Sequence, residues 1–268
     1  MNNKIEDQFT RDMDTPRDLV EEYTYLLSKR DQLLKDAESY KINYTREFGG
    51  QMIANFELKL ECIRIKKSIS YCRRILNRGL PINVESMKAS VEKEMLIHKL
   101  QLDDLQSEFK RAGEARNVDS FTHNRAKKIY RKLCKLIHPD VNAKTESNEN
   151  LLELWEKIKT AYFTSDVDML EDLEILVKQA LEELGEEGFE ADLNNLEERI
   201  ERVEAQIEDI ISTEPYTYGR ILESCESIEE LHNTLTAEHD DFADYRELLE
   251  KALNELLAGT GLSTTWTL

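Results

Sequence analysis

Helix breakers are scarce in this chain: four prolines and nine glycines in 268 residues. Proline removes a backbone donor and glycine carries a conformational penalty in a helix, so their scarcity removes the main obstacles to long helices. There are only four cysteines, Cys62, Cys72, Cys134 and Cys225, and none forms a CxxC pair. That argues against a disulfide framework or a zinc ribbon and predicts buried free thiols in a reducing, cytoplasmic compartment. No run of about 18 apolar residues occurs, so no membrane span is expected. The opening stretch MNNKIEDQFTRDMD lacks an apolar core, so a signal peptide is not expected either. Phosphate loops of the GxxxxGK[ST] or GxGxxG type are missing. His123, His232 and His239 have no Cys or His partner at metal-ligand spacing, and no Ser/His/Asp or Cys/His arrangement has supporting context. Neither metal, cofactor nor enzymatic active site is therefore expected.

What the chain has in abundance is charge. Charged residues make up 34% of it, and Leu, Glu and Lys dominate, a composition suited to long solvent-facing helices. The net charge of −19 lies wholly in residues 180–268, which hold 24 acids and five bases; residues 1–179 balance at 31 of each. The acidic third is a poor nucleic-acid binder on that ground. Residues 57–78, with seven bases against two acids and Tyr71 among them, could contact nucleic acid, but pairing with acidic neighbouring helices is the expectation.

Apolar spacing divides the chain. Residues 1–13 are polar and expected to be flexible. A first helix is predicted from Thr15-Pro16, with Leu19, Tyr23, Leu26, Leu33, Ala37, Tyr40 and Tyr44 at heptad steps and Arg30 as the polar interruption. Gly49-Gly50 is expected to break it. A second stripe follows (Leu58, Cys62, Ile65, Ile69, Cys72, Leu76), stopped by the stretch Asn77 to Pro81. A third runs through Met87, Val91, Met95, His98, Leu102 and Phe109, where His98 reads as a core or interface residue. Together residues 14–110 predict an antiparallel helical bundle or coiled coil. After a polar linker, residues 111–179 form a separate helical segment. Its later helices are expected to be capped by Ser147 or Asn148 and by a box from Ser165 to Asp168, the last ending near Gln179. Residues 186–257 predict an acidic coiled-coil hairpin, one arm carrying Leu193, Leu196, Ile200, Val203 and Ile207 and the other Ile228, Leu231, Leu235, Phe242, Tyr245 and Leu249. Residues 258–268, which include Trp266, are expected to be a flexible tail.

The stretch KKIYRKLCKLIHPDVN, Lys127 to Asn142, stands apart. Six cations and no anion lie between Arg125 and Lys135. On a wheel with about 100° per residue, Arg125, Lys127, Lys128, Arg131, Lys132 and Lys135 fall on one side, and Ile129, Tyr130, Leu133, Cys134, Leu136 and Ile137 on the other. An ordinary solvated face mixes signs to avoid repulsion between like charges one turn apart. A face of one sign is better explained by a negatively charged partner. Pro139 disfavours the helical conformation at His138, so the helix should stop there and leave His138 and Asp140 in a turn.

Residues 121–164 resemble the core of a J-domain, the module by which DnaJ-type co-chaperones engage DnaK-type ATPases. The stretch above is similar to the family's second helix and its His-Pro-Asp tripeptide. LWEKIKTAYFTSD resembles the third helix, with Trp155 and Tyr162 at aromatic core positions. The resemblance implies that His138, Pro139 and Asp140 trigger ATP hydrolysis on the partner. It also implies that Lys128, Arg131, Lys132 and Lys135 dock on an acidic surface, and that Tyr130, Leu133, Trp155, Ile158 and Tyr162 form the segment's core. The family's Tyr-x-x-Leu-Gly signature is not found upstream of Phe121, so the helix ending near Phe109 or part of the linker is expected to stand in for its first helix. VDMLEDLEILV is acidic where the family's fourth helix is basic. With no Gly/Phe-rich segment and no CxxCxGxG repeat, client binding falls to the helical arms.

The chain is thus expected to be an all-α cytoplasmic protein, a J-domain-like hairpin flanked by an N-terminal antiparallel bundle and a C-terminal coiled-coil hairpin. Its expected partner is a DnaK-type ATPase, with client proteins and self-association through the heptad helices as further possibilities, and no membrane or nucleic-acid partner. The alternative is a coiled-coil scaffold that keeps a degenerate J-like fold.

Overall fold

The computed structural model describes residues 16–115, 118–185 and 195–258, with side chains from residue 19 onward. Among these residues there is no β-strand, and the chain is all-α. The helices are α1 (Pro16–Leu76), α2 (Val84–Glu114), α3 (Ser120–Ile137), α4 (Ala143–Ser147), α5 (Glu149–Phe163), α6 (Val167–Leu184), α7 (Leu196–Ser212), α8 (Tyr218–Leu222) and α9 (Cys225–Ala258). Thr15, Leu193 and Trp266 lie outside the described residues, as do the expected flexible ends at 1–13 and 258–268 except for Ala258, which is the last residue of α9.

The described residues fall into two compact units, 16–38 with 118–217, and 39–115 with 218–258. Both divisions differ from the boundaries expected of the sequence. The stretch 14–110 divides within α1, and the stretch 186–257 divides between α7 and α8. The reason is a general property of heptad stripes: they mark an apolar seam without naming the helix that covers it. The seam of α7 packs with the N-terminal part of α1, and Leu253 and Leu257 of α9 pack with Cys72 and Met87.

In the second unit, α1 does not break at Gly49-Gly50. Each glycine costs a helix about 1 kcal/mol relative to alanine. What the first one provides is room: a Cβ at Gly49 would stand 2.6 Å from Cδ2 of Phe109, so its absence lets the Phe109 ring of α2 lie against α1. The core gathers Ile65, Ile69 and Cys72 of α1, Met87, Val91 and Met95 of α2, and Leu253 and Leu257 of α9. The basic stretch 57–78 is engaged within this unit. Lys67 pairs with Glu94 at 2.7 Å and Arg64 with Glu92 at 3.8 Å, while Lys59 and Lys66 lie over the rings of Phe242 and Tyr245. Cys62 and Cys72 are buried; Cys225, expected to be buried, is exposed.

In the first unit, α3, α5 and α6 share one core built from Ile129, Tyr130, Leu133, Trp155, Ile158, Leu170 and Leu173, among others. Each helix has a capping side chain. Asp119 accepts from the backbone N–H groups of Phe121 and Thr122, Asn148 from Leu151 and Asp166 from Met169. The cap of α6 is thus Asp166 and not Ser165. Ser165 takes a left-handed conformation, φ 56°, and closes α5: its N–H bonds to Tyr162 O and that of Asp166 to Ala161 O. α6 passes the expected end near Gln179 and stops at Leu184, followed by Gly185 at φ 56°.

Candidate partner-docking site

The site is built on α3. Asp119 starts this helix, and it ends at Ile137 with His138 as cap, as Pro139 requires. Ala126, Ile129, Tyr130, Leu133, Cys134 and Ile137 are buried. Tyr130 stacks on Tyr162 with centroids 3.9 Å apart and planes within 9°, and Trp155 stands 5.7 Å from Tyr130. The opposite face is cationic, and the structure divides it three ways. Lys128, Lys132 and Lys135 are exposed. Along one edge α6 supplies acids: Arg125 meets Glu171 at 2.5 Å and Lys132 approaches Glu174 at 3.9 Å. Along another, Arg131 is only partly exposed, its guanidinium 5.5 Å from the Tyr25 ring centroid. Among the described residues Lys128 and Lys135 have no ion-pair partner.

The His-Pro-Asp turn follows at once. Its two polar residues have opposite fates: the His138 side chain is 6% exposed and that of Asp140 42%. Nδ1 of His138 accepts the Asp140 backbone N–H at 3.0 Å, and the ring stands edge-on to Trp155 at 4.6 Å. Burial pushes the imidazole down to about 4, against the pull of Asp140 and Asp31. At neutral pH it is therefore uncharged, and its 3.8 Å approach to the Asp140 carboxylate is not an ion pair. The carboxylate is the more exposed of the turn's two polar side chains. The backbone N–H groups of Val141 and Asn142 both return to His138 O, at 2.9 and 2.8 Å, which closes the turn.

The residues that complete this site come from far upstream. Residues from the start of α1 stand against α3 and α5. Tyr130 Oη donates to Asp31 at 2.6 Å, Tyr162 Oη donates to Gln32 Oε1, and Lys35 Nζ donates to Tyr162 O at 2.6 Å. Lys35 also stands 4.3 Å from the Tyr162 ring centroid, and burial lowers its ammonium to about 8. Asp31, Gln32 and Lys35 are all buried. The first-helix stripe recognised in the sequence, Leu19, Tyr23, Leu26 and Leu33, faces elsewhere: it packs with Leu196, Ile200, Val203 and Ile207 of α7 and with Val141 of the turn. The signal for the buried polar stripe was the step from Ser28 to Asp31 to Lys35, three and then four residues, which looks like an ordinary solvated face.

α7 also reaches the turn directly. Nη1 of Arg199 lies 3.4 Å from Asp140 O, and its guanidinium is 5.7 Å from the Tyr23 ring centroid. Among the described residues no cluster of three His, Cys, Asp or Glu side chains could hold a metal ion. The buried Cys134 thiol has its pKa pushed well up by burial, which keeps it protonated and poorly nucleophilic. The arrangement sets three exposed ammonium groups beside one exposed carboxylate. No family model, no curated protein and no solved structure matches the chain.

Proposed function

We propose that the chain is a J-domain-type co-chaperone that docks on a DnaK-type ATPase and stimulates its hydrolysis of ATP. The observation that carries this reading is the placing of Lys128, Lys132 and Lys135 on the exposed side of α3, directly before a turn that exposes Asp140. The cations would meet an acidic surface on the ATPase and raise the rate of encounter. Asp140 would contact the partner once docked. The chemistry takes place on the partner, so the chain itself is not an enzyme. It would act in the cytoplasm, where its helical arms would hold clients. No helix among the described residues is long and apolar enough to cross a membrane.

Single-turnover ATP hydrolysis by a DnaK-type chaperone tests the proposal. The wild-type chain should accelerate it. Asp140→Asn, at a half-exposed position, should remove the acceleration without unfolding the protein. Lys128→Glu with Lys135→Glu should weaken it, and added salt should weaken it in the wild type. No acceleration by the folded wild-type chain would sink the reading.

One observation favours the alternative, a helical scaffold with a J-like fold but without the activity. His138 is buried, its Nδ1 engaged by a backbone N–H and its ring by Trp155. On that reading the tripeptide is a structural turn. His138→Gln would then cost stability, and neither it nor Asp140→Asn would change any ATPase rate.

A further inference from the structure

We infer that α2 pairs with the α2 of a second copy of this chain, antiparallel and related by a two-fold axis. One face of α2 is committed to the core through Met87, Val91 and Met95. The opposite face carries Ile97 and Leu100, 69% and 56% exposed, with Leu96 on its flank at 60%. Three large apolar side chains within little more than one turn of an otherwise polar helix form a patch left uncovered by the described residues.

The surroundings of that patch say what covers it. Stepping outward from Ile97 and Leu100 by heptad intervals leads to Lys93 and Asp104, then to Ser90 and Ser107. The series is a palindrome in position about a point between His98 and Lys99, and its chemistry is complementary across that point. In an antiparallel pair centred there, Ile97 faces Leu100 of the other copy, Lys93 faces Asp104, and Ser90 faces Ser107. A two-fold axis makes every one of these pairs twice. A parallel pair would instead set Lys93 against Lys93 and Asp104 against Asp104. Both Lys93 and Asp104 are exposed and have no ion-pair partner among the described residues, although neighbouring Glu94 and Lys99 are paired with Lys67 and Glu92. The seam is short, about 26 Å from Ser90 to Ser107 at 1.5 Å per residue. With few apolar side chains at its centre it gives reversible association, with a dissociation constant on the order of 10 μM.

Sedimentation equilibrium of the full chain, from about 1 to about 200 μM, tests this pairing. The wild-type chain should show a monomer–dimer equilibrium in that range. Ile97→Asp should abolish the dimer. Lys93→Asp sets two like-charge pairs in place of two opposite-charge pairs and should weaken association about tenfold. The charge exchange Lys93→Asp with Asp104→Lys should restore it to within about twofold of wild type. All three positions are exposed, so circular dichroism should show unchanged folding. A wild-type chain monomeric at about 200 μM, a dimer indifferent to Ile97→Asp, or an exchange variant that does not recover would each overturn the pairing.

Discussion

The phenolic oxygen of Tyr130 stands 2.6 Å from Oδ2 of Asp31, a residue 99 positions earlier. This buried bond ties the start of α1 to the helix that carries the cationic face. The other oxygen of Asp31 takes Nε and Nη2 of Arg30, at 3.0 and 2.8 Å. The carboxylate is therefore shared between a guanidinium and a phenol. Burial pushes the phenol's pKa well up, with Cys134 and Asp31 adding to the effect, so the hydroxyl remains a donor. Tyr130→Phe removes that donor and leaves Asp31 with Arg30, which should cost about 1–2 kcal/mol. Asp31→Ala strands both partners and should cost about 2–3 kcal/mol. Urea unfolding of the two single variants and the double variant measures the coupling, expected above about 0.5 kcal/mol. Strict additivity would mean that the bond contributes nothing.

His138 makes stability depend on acid. Its folded-state value of about 4 lies below the 6.5 of an unperturbed imidazole. Burial is the main cause; Arg30 and Lys159 push the same way, while Asp140 and Asp31 oppose. Between those two values the unfolded chain binds the proton and the folded chain does not. The contribution is thus complete above pH 6.5 and is lost as pH falls toward about 4, on the order of 3 kcal/mol over the whole window. Protonation would also break the bond from the Asp140 N–H, since Nδ1 is its acceptor. Denaturant midpoints at neutral pH and at about pH 4.5 should fall with acid in the wild type and fall less in His138→Gln. Equal slopes in the two proteins would show that another group sets the acid limit.

The sequence exposes what is local and hides what is remote. The burial of Tyr130, Leu133, Trp155, Ile158 and Tyr162 follows from amphipathic spacing within two helices, and the end of α3 follows from Pro139. The capping role of Asn148 was open to the same kind of reading. The bonds from Asp31, Gln32 and Lys35 were not, because their partners lie about a hundred positions away and buried polar residues look like solvent-facing ones until the partner is known. The same limit applies to the cationic face. Nothing in the spacing of α3 reveals that Glu171 and Glu174 would border it, or that Arg131 would turn to Tyr25. Gly49 was misread for a related reason: a glycine required by a neighbouring ring looks the same as one that ends a helix.

Ser165 offers a place to gain stability. It holds φ at 56° in the turn between α5 and α6, where a side chain crowds the backbone by roughly 1–2 kcal/mol. Among the described residues its hydroxyl makes no hydrogen bond that would be lost. Glycine removes the crowding but has more chain entropy to lose on folding, so Ser165→Gly should stabilise by about 0.5–1 kcal/mol. Ser165→Ala keeps the Cβ and should give no gain. Thermal unfolding of both variants separates relief of the backbone from loss of the hydroxyl; a gain in the alanine variant would point to the hydroxyl.

α7 should govern the rigidity of the His-Pro-Asp turn. Val141 shares a core with Leu196, Ile200 and Val203, and Arg199 reaches Asp140 O at 3.4 Å. A carboxylate at position 200 would be buried without a partner, so Ile200→Asp should drive α7 off this surface. Hydrogen exchange at the amides of Val141 and Asn142, which close the turn on His138 O, should then quicken by about tenfold or more. Exchange at Ile158 and Tyr162, in the α3–α5–α6 core, should stay slow. Quickening everywhere would mean that the unit had unfolded; no change at Val141 would mean that α3 and α5 hold the turn unaided. If the chain stimulates a DnaK-type ATPase, the same variant gives a second readout with a definite sign. Removing a helix from beside Asp140 should raise stimulation if α7 restricts access, and lower it if the docked turn must be rigid. Arg199→Ala, which keeps the apolar packing of α7 while removing the contact at Asp140 O and the stacking on Tyr23, separates the two: a rise with both variants assigns the restriction to the Arg199 side chain.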